Sequence, residues 1–397
     1  MGKESVMAVM SVYDAEGIID DYVLYYLNLL RKVTDRVIVI VNGYVGAEGK
    51  ERLQSVADDI FIRPNRGFDF GAFKDVMKNY LPDTIWNDYQ EIILCNDSCF
   101  GPFVPFEEIF HTMRGRNLEF WSINYRDNIL IPYFESYFMV FSGRALGLLK
   151  SFLDEVVNGD VMDMTCAQGY EHDLSESVMQ QGILAGCYTS GQERYPNLDI
   201  YRAPDYAVEY LGLPLLKKKC FSQEMIEKEN CYAALEWIKK NTDYPIEYIE
   251  RAVQRNYAFR IRKEDIERKH ESRPHYFWKF YVSWEELISY CREHERVYIY
   301  GKGYLSTFIT AHFRRYMNEF GGYIVSDEYY TKEMEADETV LPLSAVGKDA
   351  PIIVALLEER TREVSGVLEG WNNVVWLSVC NDPGKGRDTT NEKTDDK

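Results

Sequence analysis

Short runs of apolar, β-favouring residues alternate with segments of helical periodicity in the first part of the chain. Residues 6–12 (VMAVMSV), 37–41 (VIVIV) and 91–95 (EIILC) have the pattern of buried strands. Residues 18–32 carry apolar side chains at helical spacing between the first two of these runs. A strand, a helix and a strand in close succession predict a βαβ unit with a right-handed crossover. The pattern therefore predicts an α/β fold with a mostly parallel sheet.

The pattern changes after residue 225. The following stretch is dense in charge, with helices predicted over residues 231–241 and 245–269. Strands are predicted again from residue 297, where a Gly301-x-Gly303 turn leads from a strand into a helix. The last residues are low in apolar side chains, which is typical of disorder. We therefore predict an α/β domain at 1–225, a helical connector at 226–294, a small Rossmann-like α/β domain at 295–380 and a disordered tail at 381–397.

Three small polar residues, Asn96, Asp97 and Ser98, directly follow the buried run 91–95. In an open α/β sheet, ligands bind at the carboxyl ends of the strands. A carboxylate held there can bind Mg²⁺ or Mn²⁺ against a diphosphate, because hard cations prefer oxygen ligands. The alternative is that the three residues only form a turn.

A second candidate stretch is the segment RPNRGFDFGAFKDVM, in which Gly67 and Gly71 flank Asp69 ahead of a predicted helix. Glycine permits close backbone approach, and the free amides of a helix N-terminus attract phosphate. Arg63 and Arg66 add positive charge. The alternative is a left-handed turn followed by an ordinary capped helix.

Acidic and basic side chains offer further candidates in the region 169–219. Glu171, Asp173 and Glu176 are predicted in the first turn of a helix, where acids favour the helix dipole; alternatively, one of them is a general base. The lysine triplet 217–219 could meet a diphosphate or a membrane surface, although such runs are more often solvated. We also predict that residues 124–136 form a surface loop at the mouth of a site.

Composition narrows the possible functions. The net charge of −19 argues against a general nucleic-acid binder. The eight cysteines include no CxxC pair, which favours reduced thiols in a cytosolic protein. The first residues lack the apolar core of a signal peptide, and no run approaches the roughly 20 apolar residues of a membrane helix. We expect a cytoplasmic protein that visits a membrane, rather than spanning it, if its substrate is linked to a lipid.

Taken together, the motifs resemble the rhamnan synthesis protein F (RgpF) family of bacterial glycosyltransferases, which assemble surface polysaccharides. The resemblance covers about residues 5–222 and rests on RPNRGFDFGAFKD, EIILCNDSCFGPF, FWSINYRD, YFESYFMVFS, LSESVMQQG and GLPLLKKKCF in this order. It implies a GT-A-like fold, that of nucleotide-diphospho-sugar transferases, for the first domain.

The resemblance also implies roles for particular residues. Inverting GT-A enzymes often carry an acidic pair followed by a leucine and a glycine at set spacing; matching Leu174 and Gly182 places Glu171 at the catalytic base, with Tyr170 where the other acid is expected. Asp173 and Glu176 are the next candidates for the base. The resemblance implies that the donor diphosphate is bound by Asn96, Asp97 and Ser98, with Asp97 as the ligand of Mg²⁺ or Mn²⁺. It implies that the nucleotide is bound by Asn65, Arg66, Gly67 and Asp69, with Ser11, Tyr13 and Asp14 near its base. Acceptor or donor sugar hydroxyls would be bound by Tyr133, Glu135 and Ser136.

The function implied is transfer of a sugar from a nucleotide-diphosphate donor to a growing polysaccharide or lipid-linked glycan. The family name favours dTDP-β-L-rhamnose as the donor, and an α-rhamnoside product would mean inversion. Peripheral contact with the inner face of the membrane fits such an acceptor. Two alternatives stay open: a non-catalytic domain that binds a sugar nucleotide or scaffolds a synthase complex, and an NAD-linked C-terminal unit, whose dinucleotide fingerprint is incomplete at Ser306.

Overall fold

The computed structural model describes residues 5–126, 132–156, 164–189, 200–201, 203–222, 228–257, 260–262, 264, 266, 282–356 and 358–377. The described residues up to 266 belong to one compact unit, and those from 282 onward belong to a second. The tail predicted at 381–397 lies outside the described residues. The domain boundaries predicted at residues 225, 294 and 380 stay predictions.

Strands and helices alternate through most of the first unit. Its strands are β1 (Val6–Val12), β2 (Arg36–Asn42), β3 (Asp59–Arg63), β4 (Glu91–Asn96), β5 (Cys99–Phe100), β6 (Phe120–Ser122), β7 (Tyr125–Arg126), β8 (Tyr133–Phe134), β9 (Phe138–Ser142), β10 (Ala185–Cys187) and β11 (Leu216–Lys217). Its helices are α1 (Asp21–Leu30), α2 (Ala47–Gln54), α3 (Phe68–Lys74, continued by a π-helical segment Asp75–Tyr80), α4 (Ile85–Asp88), α5 (Phe106–Arg114), α6 (Arg144–Glu155), α7 (Met164–Gln180), α8 (Pro204–Glu209), α9 (Lys228–Asn241) and α10 (Ile246–Asn256).

Seven of these strands form the central sheet, in the order β3-β2-β1-β4-β9-β6-β10. The pairings β1–β2, β1–β4, β2–β3 and β6–β10 are parallel, whereas β9 runs antiparallel to both β4 and β6. A mostly parallel sheet with one reversed strand beside β4 is the arrangement of the nucleotide-diphospho-sugar transferase fold. The predicted α/β, GT-A-like fold class is therefore confirmed.

The register of the sheet brings polar side chains together at one edge. Every residue of β1 is buried, as expected for a central strand covered on both faces. Ser11 near the end of β1 pairs with Asn96 at the end of β4, and Asn42 at the end of β2 pairs with Arg63 at the end of β3. Four neighbouring parallel strands thus end in polar residues at the edge where this class of sheet binds ligands.

Aromatic side chains fill much of the space between the sheet and its helices. Phe106 of α5 stacks on Phe138 of β9 with ring centroids 5.3 Å apart, and Tyr26 of α1 meets Phe106 edge-on at 5.2 Å. On the other face, Phe70 of α3 packs against Phe152 of α6 at 5.9 Å. These contacts hold α5 against the sheet, α1 against α5, and α3 against α6. The helix α3 carries one of the predicted site residues, Asp69.

The second unit is a smaller α/β structure with a five-stranded parallel sheet. The strand order is β14-β13-β12-β15-β16. Its elements are α11 (Trp284–Glu293), β12 (Val297–Tyr300), α12 (Tyr304–Phe313), β13 (Phe320–Val325), β14 (Val340–Pro342), β15 (Ile352–Val354), α13 (Glu358–Ser365) and β16 (Val374–Trp376). Across the described ranges of both units, no helix has the length and apolar character that crossing a membrane requires.

Three local predictions are wrong. The helix α7 begins at Met164, so the acids of residues 171–176 lie in its interior and not in its first turn. The segment 124–136 is not simply a surface loop, because its described residues include β7 and β8 and the buried side chains of Asn124, Glu135 and Ser136. The helix expected over 245–269 ends at Asn256, after which Tyr257 is extended.

A buried ion pair stabilises the end of β3. The Arg63 side chain is 2% exposed, and its Nε lies 2.5 Å from Asp75 Oδ2. Replacing Asp75 by alanine leaves this guanidinium buried without its carboxylate, so we expect the free energy of unfolding to fall by about 3–5 kcal/mol. Urea unfolding monitored by circular dichroism measures the change.

The matched control is Asp83→Ala, because Asp83 is 81% exposed and pairs with Lys150 at the surface. Its expected cost is below about 1 kcal/mol. Equal midpoints for the two variants would show that the buried pair does not stabilise the fold.

Candidate functional site

A chain of hydrogen bonds crosses the carboxyl ends of β1, β2 and β3. Arg63 Nη1 donates to Asn42 Oδ1 at 2.7 Å, and Asn42 Nδ2 donates to Ser11 Oγ at 2.9 Å. The three residues are between 1% and 3% exposed. Buried polar groups must be hydrogen-bonded to avoid a desolvation cost, and these groups satisfy one another. Ser11, one of the predicted site residues, is therefore held rigidly.

The loop between β3 and α3 is fixed by the same arginine. Arg63 Nη2 donates to the backbone carbonyl of Arg66 at 2.9 Å, and Gly67 precedes α3 in the left-handed conformation with φ 64°. Glycine adopts this conformation without a steric cost. Asn65 is partly buried, and the Arg66 side chain is exposed. The predicted nucleotide-binding loop is thus an ordered connection that leads Asp69 into the first turn of α3.

Asp69 joins this loop to the end of β4. Asn96 Nδ2 donates to Asp69 Oδ2 at 2.7 Å, and Asn96 Oδ1 accepts from Ser98 Oγ at 2.5 Å and from Ser98 N at 3.1 Å. Burial raises the pKa of Asp69, and the charge of Asp97 raises it further, against the hydrogen bonds from Ser11 and Asn96 and the charge of Lys217. The structure therefore brings together Ser11, Asp69, Asn96, Asp97 and Ser98.

Two lysines contact this cluster. Lys218 Nζ lies 3.1 Å from Asp97 Oδ2, and Lys217 Nζ donates to Ser98 Oγ at 2.9 Å. Tyr22 OH also donates to Asp97 Oδ2, at 3.2 Å. The lysines are brought here by the antiparallel pairing of β11 with β5, in which Lys217 lies opposite Cys99. The sequence suggested a diphosphate as one possible contact of the triplet 217–219, but Lys217 and Lys218 were not among the predicted site residues.

The predicted base, Glu171, is held at the neighbouring edge of the sheet. Its Oε1 accepts hydrogen bonds from Ser136 N at 2.9 Å and Ser136 Oγ at 2.5 Å. Burial raises the pKa of Glu171, and Glu135 adds to the rise, while Lys217 and the Ser136 hydrogen bonds oppose it. Asp173 lies two residues further along α7, and residues two apart on a helix do not share a face. Glu171 and Ser136 are therefore brought together, and Asp173 is not placed beside them.

Glu135, the neighbour of Ser136 in the chain, belongs to a second set of buried hydrogen bonds. It accepts a hydrogen bond from Asn124 Nδ2 at 2.7 Å and one from the Tyr201 hydroxyl. The Tyr133 ring meets the His172 ring edge-on, with centroids 4.4 Å apart. Glu135 is 1% exposed and Tyr133 is 8% exposed. Both side chains are buried in the protein, and the acceptor-binding role predicted for them stays a prediction.

The predicted turn after β1 is held by an arginine of the helix α10. Arg255 Nη2 in α10 lies 2.5 Å from Asp14 Oδ2 and 2.6 Å from Asp20 Oδ2. Asp14 also accepts from the backbone N–H of Ile18 at 3.0 Å. Burial favours a higher pKa for Asp14, but Arg255 and the backbone hydrogen bonds outweigh it and lower the pKa. Tyr13 is exposed at the same turn, while Asp14 faces Arg255.

The fit of a metal ion can be judged from the donor atoms at Asp97. Its Oδ2 accepts from the Lys218 ammonium and the Tyr22 hydroxyl. A divalent cation bound to the same oxygen would lie against a positively charged ammonium group, which is unfavourable. The donor set around Asp97 Oδ2 therefore does not fit a cation at that atom as the side chains stand. The role of Asp97 as a ligand of Mg²⁺ or Mn²⁺ stays a prediction.

A sequence profile of the rhamnan synthesis protein F family matches residues 37–275, more than half of the chain. The chain belongs to this family. Membership supports a glycosyltransferase-like role and confirms the predicted resemblance. No curated protein matches the chain by sequence.

Solved structures show only a distant likeness. A cytidylyltransferase from Leptospira borgpetersenii is 12% identical, with a TM-score of 0.28 over 46% of this chain and 74% of that one. A 4-diphosphocytidyl-2C-methyl-D-erythritol synthase from Anaerococcus prevotii is 10% identical, with a TM-score of 0.31 over 47% and 88%. Glucosyl-3-phosphoglycerate synthase from Mycobacterium tuberculosis, solved with Mn²⁺, UDP and its product, is 10% identical, with a TM-score of 0.25 over 45% and 81%. At these scores the likeness says nothing about the chemistry of this chain.

The contact of Arg255 with the turn after β1 predicts a pH-dependent contribution to stability. Arg255→Gln removes charge-assisted hydrogen bonds to Asp14 and Asp20, so we expect the free energy of unfolding at pH 7 to fall by about 2 kcal/mol. Because the folded-state pKa of Asp14 is lowered, its stabilisation is present above its unfolded pKa of about 3.9 and is lost as pH falls through the folded value.

The difference between wild type and Arg255→Gln should therefore shrink on acidification below about pH 4, as measured by urea unfolding across pH. Arg251→Gln is the control, since Arg251 pairs with Asp21 and is 59% exposed. A difference that is constant with pH, or equal effects of the two variants at pH 7, would refute this contribution.

Proposed function

We propose that this protein is a glycosyltransferase that moves a sugar from a nucleotide-diphosphate donor to an acceptor hydroxyl. The observation that carries the proposal is the hydrogen-bonded cluster at the strand ends, in which Asn96 Nδ2 donates to Asp69 Oδ2 at 2.7 Å and Lys217 Nζ donates to Ser98 Oγ at 2.9 Å. The charge of this lysine also opposes the rise in the pKa of both Asp69 and Glu171. The cluster at the ends of β1 and β4 and the carboxylate of α7 therefore face one polar region. A transferase needs such a pairing of a diphosphate site with a base.

In this proposal the donor lies across the carboxyl ends of β1 to β4. The turn with Tyr13 and Asp14 and the loop with Asn65, Arg66 and Gly67 hold the nucleotide, and Asp69 is held between this loop and Asn96. The residues that face the diphosphate are Asn96, Asp97 and Ser98. Support comes from the hydrogen bond between Asn96 and Asp69 and from the position of a helix N-terminus beside it.

The proposed reaction is a displacement at the anomeric carbon. The bond between this carbon and the diphosphate oxygen breaks, and its electron pair leaves with the nucleoside diphosphate. A bond from the acceptor oxygen to the carbon forms, and the acceptor proton passes to the Glu171 carboxylate. A base works best with a pKa near the working pH, and burial raises the pKa of Glu171 toward that range.

Substrate identity is proposed from family membership alone. The family description, rhamnan synthesis, favours L-rhamnose from dTDP-β-L-rhamnose, transferred with inversion to a growing polysaccharide or lipid-linked glycan. Peripheral membrane contact would accompany a lipid-linked acceptor. The positive charge beside the diphosphate would come either from Mg²⁺ or Mn²⁺ bound at Asp97 or from side chains alone. Assays with and without these ions distinguish the two cases.

The test of the proposal is release of nucleoside diphosphate from dTDP-, UDP- and GDP-sugars in the presence of polysaccharide or lipid-linked acceptors. We expect one donor class to be turned over, and Glu171→Gln to lower kcat by about 10²–10⁴ because an amide cannot accept the proton. Wild-type kcat should rise with pH through a raised Glu171 pKa, since only the ionised carboxylate is a base. This rise of kcat at the acidic end of the pH profile should be absent in Glu171→Gln.

Glu236→Gln is the surface control, because Glu236 makes an ion pair with Lys240 within its own helix α9. Near wild-type turnover in Glu171→Gln with loss of turnover in Asp173→Asn would assign the base to Asp173. Tight donor binding without turnover across all acceptors would instead favour a non-catalytic, sugar-nucleotide-binding subunit.

A further inference from the structure

Two consecutive lysines are brought to the candidate donor site by a strand pairing that spans more than a hundred residues. Lys217 Nζ donates to Ser98 Oγ at 2.9 Å, and Lys218 Nζ lies 3.1 Å from Asp97 Oδ2. The short strand β11 pairs antiparallel with β5, directly after the Asn96-Asp97-Ser98 turn. The two ammonium groups therefore lie on the same three-residue turn that was predicted to bind a metal ion and the donor diphosphate.

Aromatic rings hold both ammonium groups in position. Lys217 Nζ lies 4.8 Å from the centroid of the Tyr137 ring, and Lys218 Nζ lies 5.2 Å from that of Tyr22. Lys218 Nζ also donates to the Tyr22 hydroxyl at 2.7 Å. The contact of the Lys217 cation with the Tyr137 ring is favourable, more so where water is excluded, whereas Lys218 is held by its hydrogen bond to the hydroxyl of Tyr22. The Lys218 side chain is only 17% exposed, so these are ordered cations rather than solvated surface charges.

The surroundings of Lys217 keep it charged. Burial by itself lowers the pKa of Lys217, but Cys99, Glu135, Glu171 and nearby acids raise it by more, and the net change is upward. The Lys217 ammonium group, which contacts Ser98, therefore adds positive charge near the acids of the strand ends and near the carboxylate of α7. Such a group repels a second cation and attracts an anion that enters the same space.

We propose that Lys217 and Lys218 bind the diphosphate of the donor and supply the positive charge that opposes its departure, in the place expected for a divalent cation. This inference rests on the proposed transferase function. Lysine binds phosphate as a point charge. Negative charge on the diphosphate grows as its bond to the sugar breaks, and fixed cations beside it stabilise that state. In the free protein, Asp97 and Ser98 keep the two ammonium groups in place.

The test is calorimetric titration with UDP, dTDP and GDP in the presence of EDTA, using the full-length protein. We expect wild type to bind one nucleoside diphosphate without a divalent cation. Lys217→Met and Lys218→Met should each weaken that binding at least tenfold, and should weaken binding of the corresponding monophosphate much less. The comparison with the monophosphate separates diphosphate recognition from a general loss of structure, because a loss of structure would weaken the binding of both nucleotides equally.

Lys219→Met is the matched control, because Lys219 belongs to the same triplet and is exposed; its affinity should equal that of wild type. Lys217→Arg and Lys218→Arg keep the positive charge and should recover most of the affinity for the nucleoside diphosphate. These variants test the role of the charge even if a methionine variant fails to fold. Turnover of wild type should also persist in EDTA.

Two results would overturn the inference. If nucleoside diphosphate binding and turnover require Mg²⁺ or Mn²⁺ and are unchanged in the lysine variants, the transferase function stands and the role of the lysines is refuted. If wild type binds no nucleoside diphosphate with or without these ions, the proposed function fails as well.

Discussion

The polar side chains that end four neighbouring parallel strands are buried, and they can be buried only because they bond to one another. Arg63, Asn42 and Ser11 form a continuous chain across β3, β2 and β1, and Asn96 at the end of β4 bonds to Asp69. An unsatisfied member would cost roughly 1–3 kcal/mol, more for a charged group. This requirement fixes the edge of the sheet, the loop after β3 and the first turn of α3 relative to each other.

The remaining parts of the site attach to this fixed edge from distant parts of the chain. The pairing of β11 with β5 delivers two lysines to the turn after β4. The helix α7 brings Glu171 to Ser136, just before β9. The arginine of α10 holds the turn after β1 through Asp14 and Asp20. In each case a side chain from a distant segment contacts a residue near the end of a strand. Long-range contacts therefore preorganise this polar region, and no single sequence motif contains it.

Much of the fold was predictable because buried strands leave a strong local signal. The runs VMAVMSV, VIVIV and EIILC are nearly coincident with β1, β2 and β4, and their polar terminal residues indicated the binding edge. The start of α7 was not predictable from its acids, because the preceding residues 164–170 (MTCAQGY) carry no clear helical pattern. The burial of Glu135 depends on hydrogen bonds from Asn124 and from Tyr201, which lies 66 residues away, and the mixed polar and aromatic sequence around it did not reveal these partners. The sequence left open whether the lysine triplet meets a diphosphate, a membrane surface or solvent, because only the long-range pairing of Lys217 with Cys99 shows where these side chains lie.

A crystal structure of the protein with dTDP or UDP bound would test most directly whether this edge of the sheet is the donor site. We expect the diphosphate oxygens within hydrogen-bonding distance of the Lys217 and Lys218 ammonium groups, with the terminal phosphate on the side of Glu171. A nucleotide bound to the C-terminal unit, or one whose diphosphate contacts neither lysine, would contradict the assignment of the donor site to the carboxyl ends of β1 to β4.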